Sequence, residues 1–153
     1  DHLRAFGDGT ISAKWDRFFS LASSAALRSD LLGVPFDESL RYSEDVDWVR
    51  RRKPRVVYVP DAKAEHSHNY GFAELKRRFY GEGQADMIMF GRAPGVFRAL
   101  AGALAETARD WLFLLPHPSG WKELPIAPAR RLIQRLSYWK GARDAGKEKR
   151  NGS

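Results

Sequence analysis

"RVVYVPDAKAEHSH", Arg55 to His68, is the stretch on which the fold turns. Val56, Val57, Tyr58 and Val59 make a β-branched and aromatic run that Pro60 closes, the pattern of a strand. Past Pro60 the chain reads as still extended, so Ala62, Ala64, His66 and His68 share one strand face. Helical signals flank this run on both sides. Upstream, Ser43 is placed to cap a helix from Glu44 to about Lys53, which Pro54 stops. Downstream, "GFAELKRRFYGEGQADMIMFG" places Phe72, Leu75 and Phe79 at helical spacing, with Gly81 and Gly83 weakening its middle. A strand between helices predicts an α/β unit.

Working outward, "SSAALRSDLLG" reads as a short helix that Ser23 or Ser24 begins and Gly33 ends. "VPFDESLRY" is a loop, because Pro35 disfavours helix at Val34. From Pro94 the character changes. Phe97, Leu100, Leu104, Ala108, Trp111 and Leu115 form one stripe opposite Arg98, Glu106, Arg109 and Asp110, which predicts an amphipathic helix whose stripe packs inward. "PHPSGWKELPIAP" is a proline-rich linker, and a second amphipathic helix follows from Ala129 to about Ala142. The last ten residues are expected to be disordered. Two parts follow: residues 1–91 as the α/β unit, and residues 92–153 as a helical extension with a basic tail.

Composition narrows the classes. A chain of 153 residues with 43% hydrophobic and 29% charged residues is a globular protein of one-domain size. The absence of cysteine removes disulfides and thiolate metal sites and fits a reducing compartment. Val96 to Leu115 is too interrupted by charge for a membrane span. The chain opens without methionine and without an apolar leader, which points to a fragment or processed product. Of the net charge of +7, residues 126–153 carry +6, with eight basic residues against two acidic ones. The basicity therefore belongs to a tail.

Three constellations bear on chemistry. In "YSEDVDW", Tyr42 to Trp48, three carboxylates stand in four residues. First-turn carboxylates suit the helix dipole and need no further role. A carboxylate held there beside Trp48 also suits a general base that takes a proton from a hydroxyl. His66 and His68, at i and i+2 on an extended segment, can approach one metal ion, although such a pair is more often a surface feature. "RRRK", Arg50 to Lys53, and "KRR", Lys76 to Arg78, read first as solvated faces, with Arg77 or Arg78 as candidates to meet substrate phosphates. His2 and His117 carry no pattern. Nucleic acid fits poorly, because the aromatics lie in amphipathic stripes rather than among basic residues.

Taken in order, "FFSLASSAALRSDLLGVPFDESLRYSEDVDW", "VVYVPDAKAEHSHNY" and "LKRRFYGEGQA" resemble the C-terminal half of a glycosyltransferase family 2 catalytic domain, closest to the bacterial rhamnosyltransferase-like group. The resemblance covers about residues 18 to 86. It implies a partial GT-A fold, Rossmann-like with a mixed sheet, followed by the amphipathic helices. It implies inverting transfer of a sugar from a nucleotide-sugar donor (a UDP- or dTDP-sugar) to a saccharide or lipid-linked acceptor in bacterial surface polysaccharide synthesis. On that pattern Asp45 is the catalytic base and Glu44 its support. Asp37 and Glu38 of "PFDE" line the acceptor side, and Arg28, Trp48, Arg77 and Arg78 contact substrate. His66, with His68 second, would hold a divalent cation, Mn2+ or Mg2+, or the diphosphate.

The chain departs from the pattern in two places. The family's donor-binding half and its Asp-x-Asp metal motif do not precede residue 18, and the segment between the acidic pair and the strand is about three residues short, with Pro54 where glycine is common. The implied location is cytoplasmic, peripheral on the inner face of the plasma membrane. Contact with that membrane is expected through the basic helix, residues 129–143, while the 96–115 helix is expected to pack. The competing reading is a non-catalytic, membrane-associated binding or scaffold module.

Overall fold

A computed structural model of the chain describes residues 11–12, 20–21, 24–54, 56–57, 59 and 70–151. The chain divides into two compact units, Asp1–His68 and Asn69–Ser153. The α/β expectation, and with it the mixed-sheet GT-A architecture, is overturned: the protein is predominantly helical. Among the described residues β structure is one antiparallel pair, β1 (Ile11–Ser12) with β2 (Val56–Val57), in which Ile11 faces Val57 and Ser12 faces Val56. The valine run does enter a strand, but a sheet needs partner strands of comparable length. Elsewhere the chain is built from Ala, Leu, Arg, Glu and Lys, which favour helix.

The first unit centres on two helices, α1 (Arg28–Gly33) and α2 (Glu44–Arg52). Trp48 and Val49 of α2 form its core, with Leu31, Val34, Phe36 and Val56 packed on them. The predicted start of α2 is right, but the predicted cap is not. Ser43 sits in the left-handed region (φ 61°) and its side chain makes no capping hydrogen bond. A β-carbon there costs of order 1 kcal/mol. Lys53 takes the same conformation at the other end, donates its N–H to the Val49 carbonyl (2.7 Å) and hands the chain to Pro54. The loop Val34–Leu40 is tied onto α2 by two bonds to backbone carbonyls. Trp48 Nε1 donates to Val34 (2.7 Å) and Arg51 Nη2 to Pro35 (2.8 Å). Arg52 reaches across to Asp30 of α1 (2.6 Å).

The second unit holds α3 (Phe72–Phe90), α4 (Val96–Leu114), a 3-10 turn (Pro118–Glu123) and α5 (Ala127–Asn151). α3 packs on α5, and so does α4. Here the side-chain pattern inverts the expectation. Buried positions on α4 are Ala99, Ala103 and Thr107, and on α5 they are Ala127, Ser137, Gly141, Ala142 and Ala145. The stripe Phe97, Leu100, Leu104, Ala108, Trp111 and Leu115, expected to pack, is exposed.

Close approach explains why the small residues are inside. A β-carbon at Gly83 would run into the Tyr138 carbonyl, and one at Gly141 into the Tyr80 carbonyl. Gly83 is thus the contact point of α3 rather than its weak middle. Tyr80 donates its hydroxyl to Asp144 (3.1 Å) and Tyr138 to Asp86, closing the seam with polar bonds. Along α4, Arg131 forks onto Asp110 (2.6 and 2.7 Å) and Arg135 onto Glu106. The pairs fall in reversed order, so α4 and α5 run antiparallel. The predicted helix over 129–142 extends from Ala127 to Asn151, into the tail expected to be disordered.

Candidate functional site

The carboxylates of α2 divide by their partners. Asp45 stands in the first turn, partly buried. Its Oδ1 accepts the Val46 N–H (2.8 Å) and its Oδ2 the Leu21 N–H (3.3 Å). Each oxygen keeps a lone pair for a further donor. Glu44, beside it, is also partly buried. Asp47 is the inward one: buried, its Oδ2 is bound to Arg51 Nε at 2.6 Å one turn on. Arg51 also holds the Pro35 carbonyl, so Asp47 indirectly orders the loop that carries Asp37. The sequence reading assigned Asp47 only to the helix dipole. Its i, i+4 spacing from Arg51 is the signal that marks the pair.

In the turn before α2, Asp37 Oδ1 accepts both the Ser39 hydroxyl (2.6 Å) and the Ser39 N–H (2.9 Å). These two bonds, the hydroxyl first, hold the Asp37 carboxyl below its ordinary value, with a smaller contribution from the Arg51 charge. Asp37 is therefore an anion fixed at the surface. Glu38 is exposed beside it, and Arg28 is exposed at the start of α1. Trp48 is 2% exposed, packs on Phe36 with ring centroids 6.2 Å apart, and has its N–H engaged by Val34. Its part is to anchor the helix that carries Asp45.

Arg77 and Arg78 belong to the second unit. Arg77 is exposed. Arg78 is engaged, with Nε on Glu82 (2.7 Å), Nη1 on the Tyr70 hydroxyl (2.6 Å) and its guanidinium over the Tyr70 ring (5.2 Å). Burial pulls the Arg78 guanidinium down, but the Glu82 carboxylate and the Tyr70 hydroxyl outweigh it and hold it above the ordinary value. This is an arginine that orders the start of α3. His66 and His68 lie outside the described residues. Among the described residues no three His, Asp or Glu side chains converge as a metal-ion set.

The structure thus brings together, on α2 and the loop ahead of it, a tethered Asp45, a fixed Asp37 and the core residue Trp48. What that arrangement can do is receive a proton at Asp45 from a donor lying against the first turn of α2. No family model, curated protein or solved structure matches the chain.

Proposed function

We propose that the chain carries the acceptor side of an inverting glycosyl transfer, with Asp45 as its base. The observation that carries the reading is the ordered series of segments from "FFSLASSAALRSDLLG" through "PFDE", "EDVDW" and "YVPDAKAEHSHN" to "RRFYGEGQA". It does not require a mixed sheet. The tether on Asp45 supports the role, because two backbone N–H groups fix the carboxylate while leaving lone pairs free.

In this reading an acceptor hydroxyl gives its proton to Asp45 as its oxygen bonds to the anomeric carbon of the nucleotide-sugar. The bond from that carbon to the diphosphate breaks, and its electron pair leaves with the nucleotide diphosphate. Glu44 and Asp37 hold acceptor hydroxyls at the rim, with Glu38 and Arg28 beside them. The Mn2+ or Mg2+ that such enzymes use would supply positive charge to the leaving diphosphate. The described carboxylates do not form its binding set, and no step is assigned to it.

The test is sugar transfer from a nucleotide-sugar by this segment joined in cis to a donor-binding half. Asp45→Asn is expected to lower kcat by about 10²- to 10⁴-fold. The substitution keeps shape and one acceptor oxygen, so its stability cost should stay near about 1 kcal/mol. Equal transfer by both proteins would remove Asp45 from the role. Asp47→Ala provides the contrast. It strands Arg51 and loosens the loop, so it acts on stability.

A further inference from the structure

We propose that the outward face of α4 lies on an anionic lipid surface. The proposal stands apart from the glycosyl-transfer reading and needs no acceptor or donor. The face is defined by what α5 covers. Ala99, Ala103 and Thr107 turn inward, and Glu106 and Asp110 are on the same side, each paired with an arginine of α5. The opposite side is left apolar over the length of the helix, about 28 Å. Phe97 is 84% exposed, Leu104 74% and Leu112 73%.

Charge selects the occupant. With both carboxylates of α4 turned inward and neutralised, the exposed charges of this helix are Arg98 and Arg109, which fall together on one edge of the apolar face. Neither forms an ion pair among the described residues. A helix with an apolar face and a rim of one positive sign matches anionic headgroups over acyl chains. A second copy of the chain would meet the same positive edge with no carboxylate to answer it.

Two tryptophans strengthen the assignment. Trp111, on the other edge, donates its N–H to the Leu124 carbonyl (2.8 Å), and Trp121, in the 3-10 turn, to Leu115 (3.2 Å). Both rings are exposed yet leave no orphaned donor, as a ring seated among headgroups requires. No helix among the described residues is long and apolar enough to cross a membrane, so α4 would lie in the plane of the surface. α5, the helix first expected to make this contact, instead has Arg131 and Arg135 committed to α4 and its small residues buried.

Vesicle flotation with the whole chain tests this, using phosphatidylcholine vesicles with and without phosphatidylglycerol. The chain is expected to float with the anionic vesicles and to lose that binding as Leu104→Glu/Leu112→Glu. Arg98→Gln and Arg109→Gln should each weaken it roughly fivefold. Both leucines are exposed, so helical circular dichroism should be unchanged in the variants. The proposal is overturned if the wild type stays at the bottom of the gradient or if the double-glutamate variant floats as well as the wild type. It is equally overturned if Lys140→Glu/Lys147→Glu on α5 is what abolishes binding. Sedimentation showing a dimer that Leu104→Glu/Leu112→Glu dissolves would instead assign the face to a second copy.

Discussion

Ser39 gives both of its donors to one oxygen of Asp37, and that small arrangement has a pH signature. The folded carboxyl lies below its ordinary value of 3.8, so the bonds favour the folded state above that value. The contribution fades as the pH falls through the lower folded value, and it is unaffected by changes near neutrality. A carboxyl titration by NMR should show Asp37 ionising below 3.8, and Ser39→Ala should move it back up. An unmoved titration would show that the turn is held by something else. Residue roles of this kind were partly legible. Asp45, Asp37 and the start of α2 were recognisable from residue type and spacing. The left-handed Ser43 was not, because a serine before a run of carboxylates is the usual mark of a side-chain cap.

At the scale of elements, the helices from residue 44 onward were legible from periodicity, and their inner faces were not. Amphipathic reading assigns the largest apolar stripe to the interior, since burying Leu or Phe gains most per residue. In the second unit α4 and α5 meet instead through Ala99, Ala103 and Thr107, and α3 reaches α5 through Gly83. Helices that approach this closely gain dispersion contacts along the backbone and leave no room for large side chains. Gly83→Ala makes the point measurable. Alanine favours helix over glycine by about 1 kcal/mol, yet its methyl group meets a backbone carbonyl that cannot yield without parting α3 from α5. Overpacking of about 1–3 kcal/mol should win, and the thermal midpoint should fall. A midpoint that rises would mean the helices sit further apart.

For the whole molecule, the misread fold class has a specific cause. Val56, Val57, Tyr58 and Val59 carry a strong strand signal, but strand propensity describes fitness for a sheet and cannot supply the partner strands. Only Ile11 and Ser12 answer the run among the described residues. The far-UV circular dichroism of the chain should therefore be dominated by helix, and a spectrum with a large sheet component would contradict the architecture. Charge at this scale is also redistributed. The tail was correctly seen as the basic part of the chain, but Arg131 and Arg135 face carboxylates of α4, so the tail presents less positive charge to its surroundings than its sequence suggests.

Those two ion pairs have one more effect. A seam of alanines is smooth, and a smooth seam lets one helix slide along the other with little change in contact. Asp110 and Glu106 are one turn apart on α4, as are Arg131 and Arg135 on α5. A slip of one turn would leave a single pair engaged and strand one arginine and one carboxylate, at a cost of about 1–3 kcal/mol. The pairs act as the two teeth of a key, indexing a register that the seam itself does not encode.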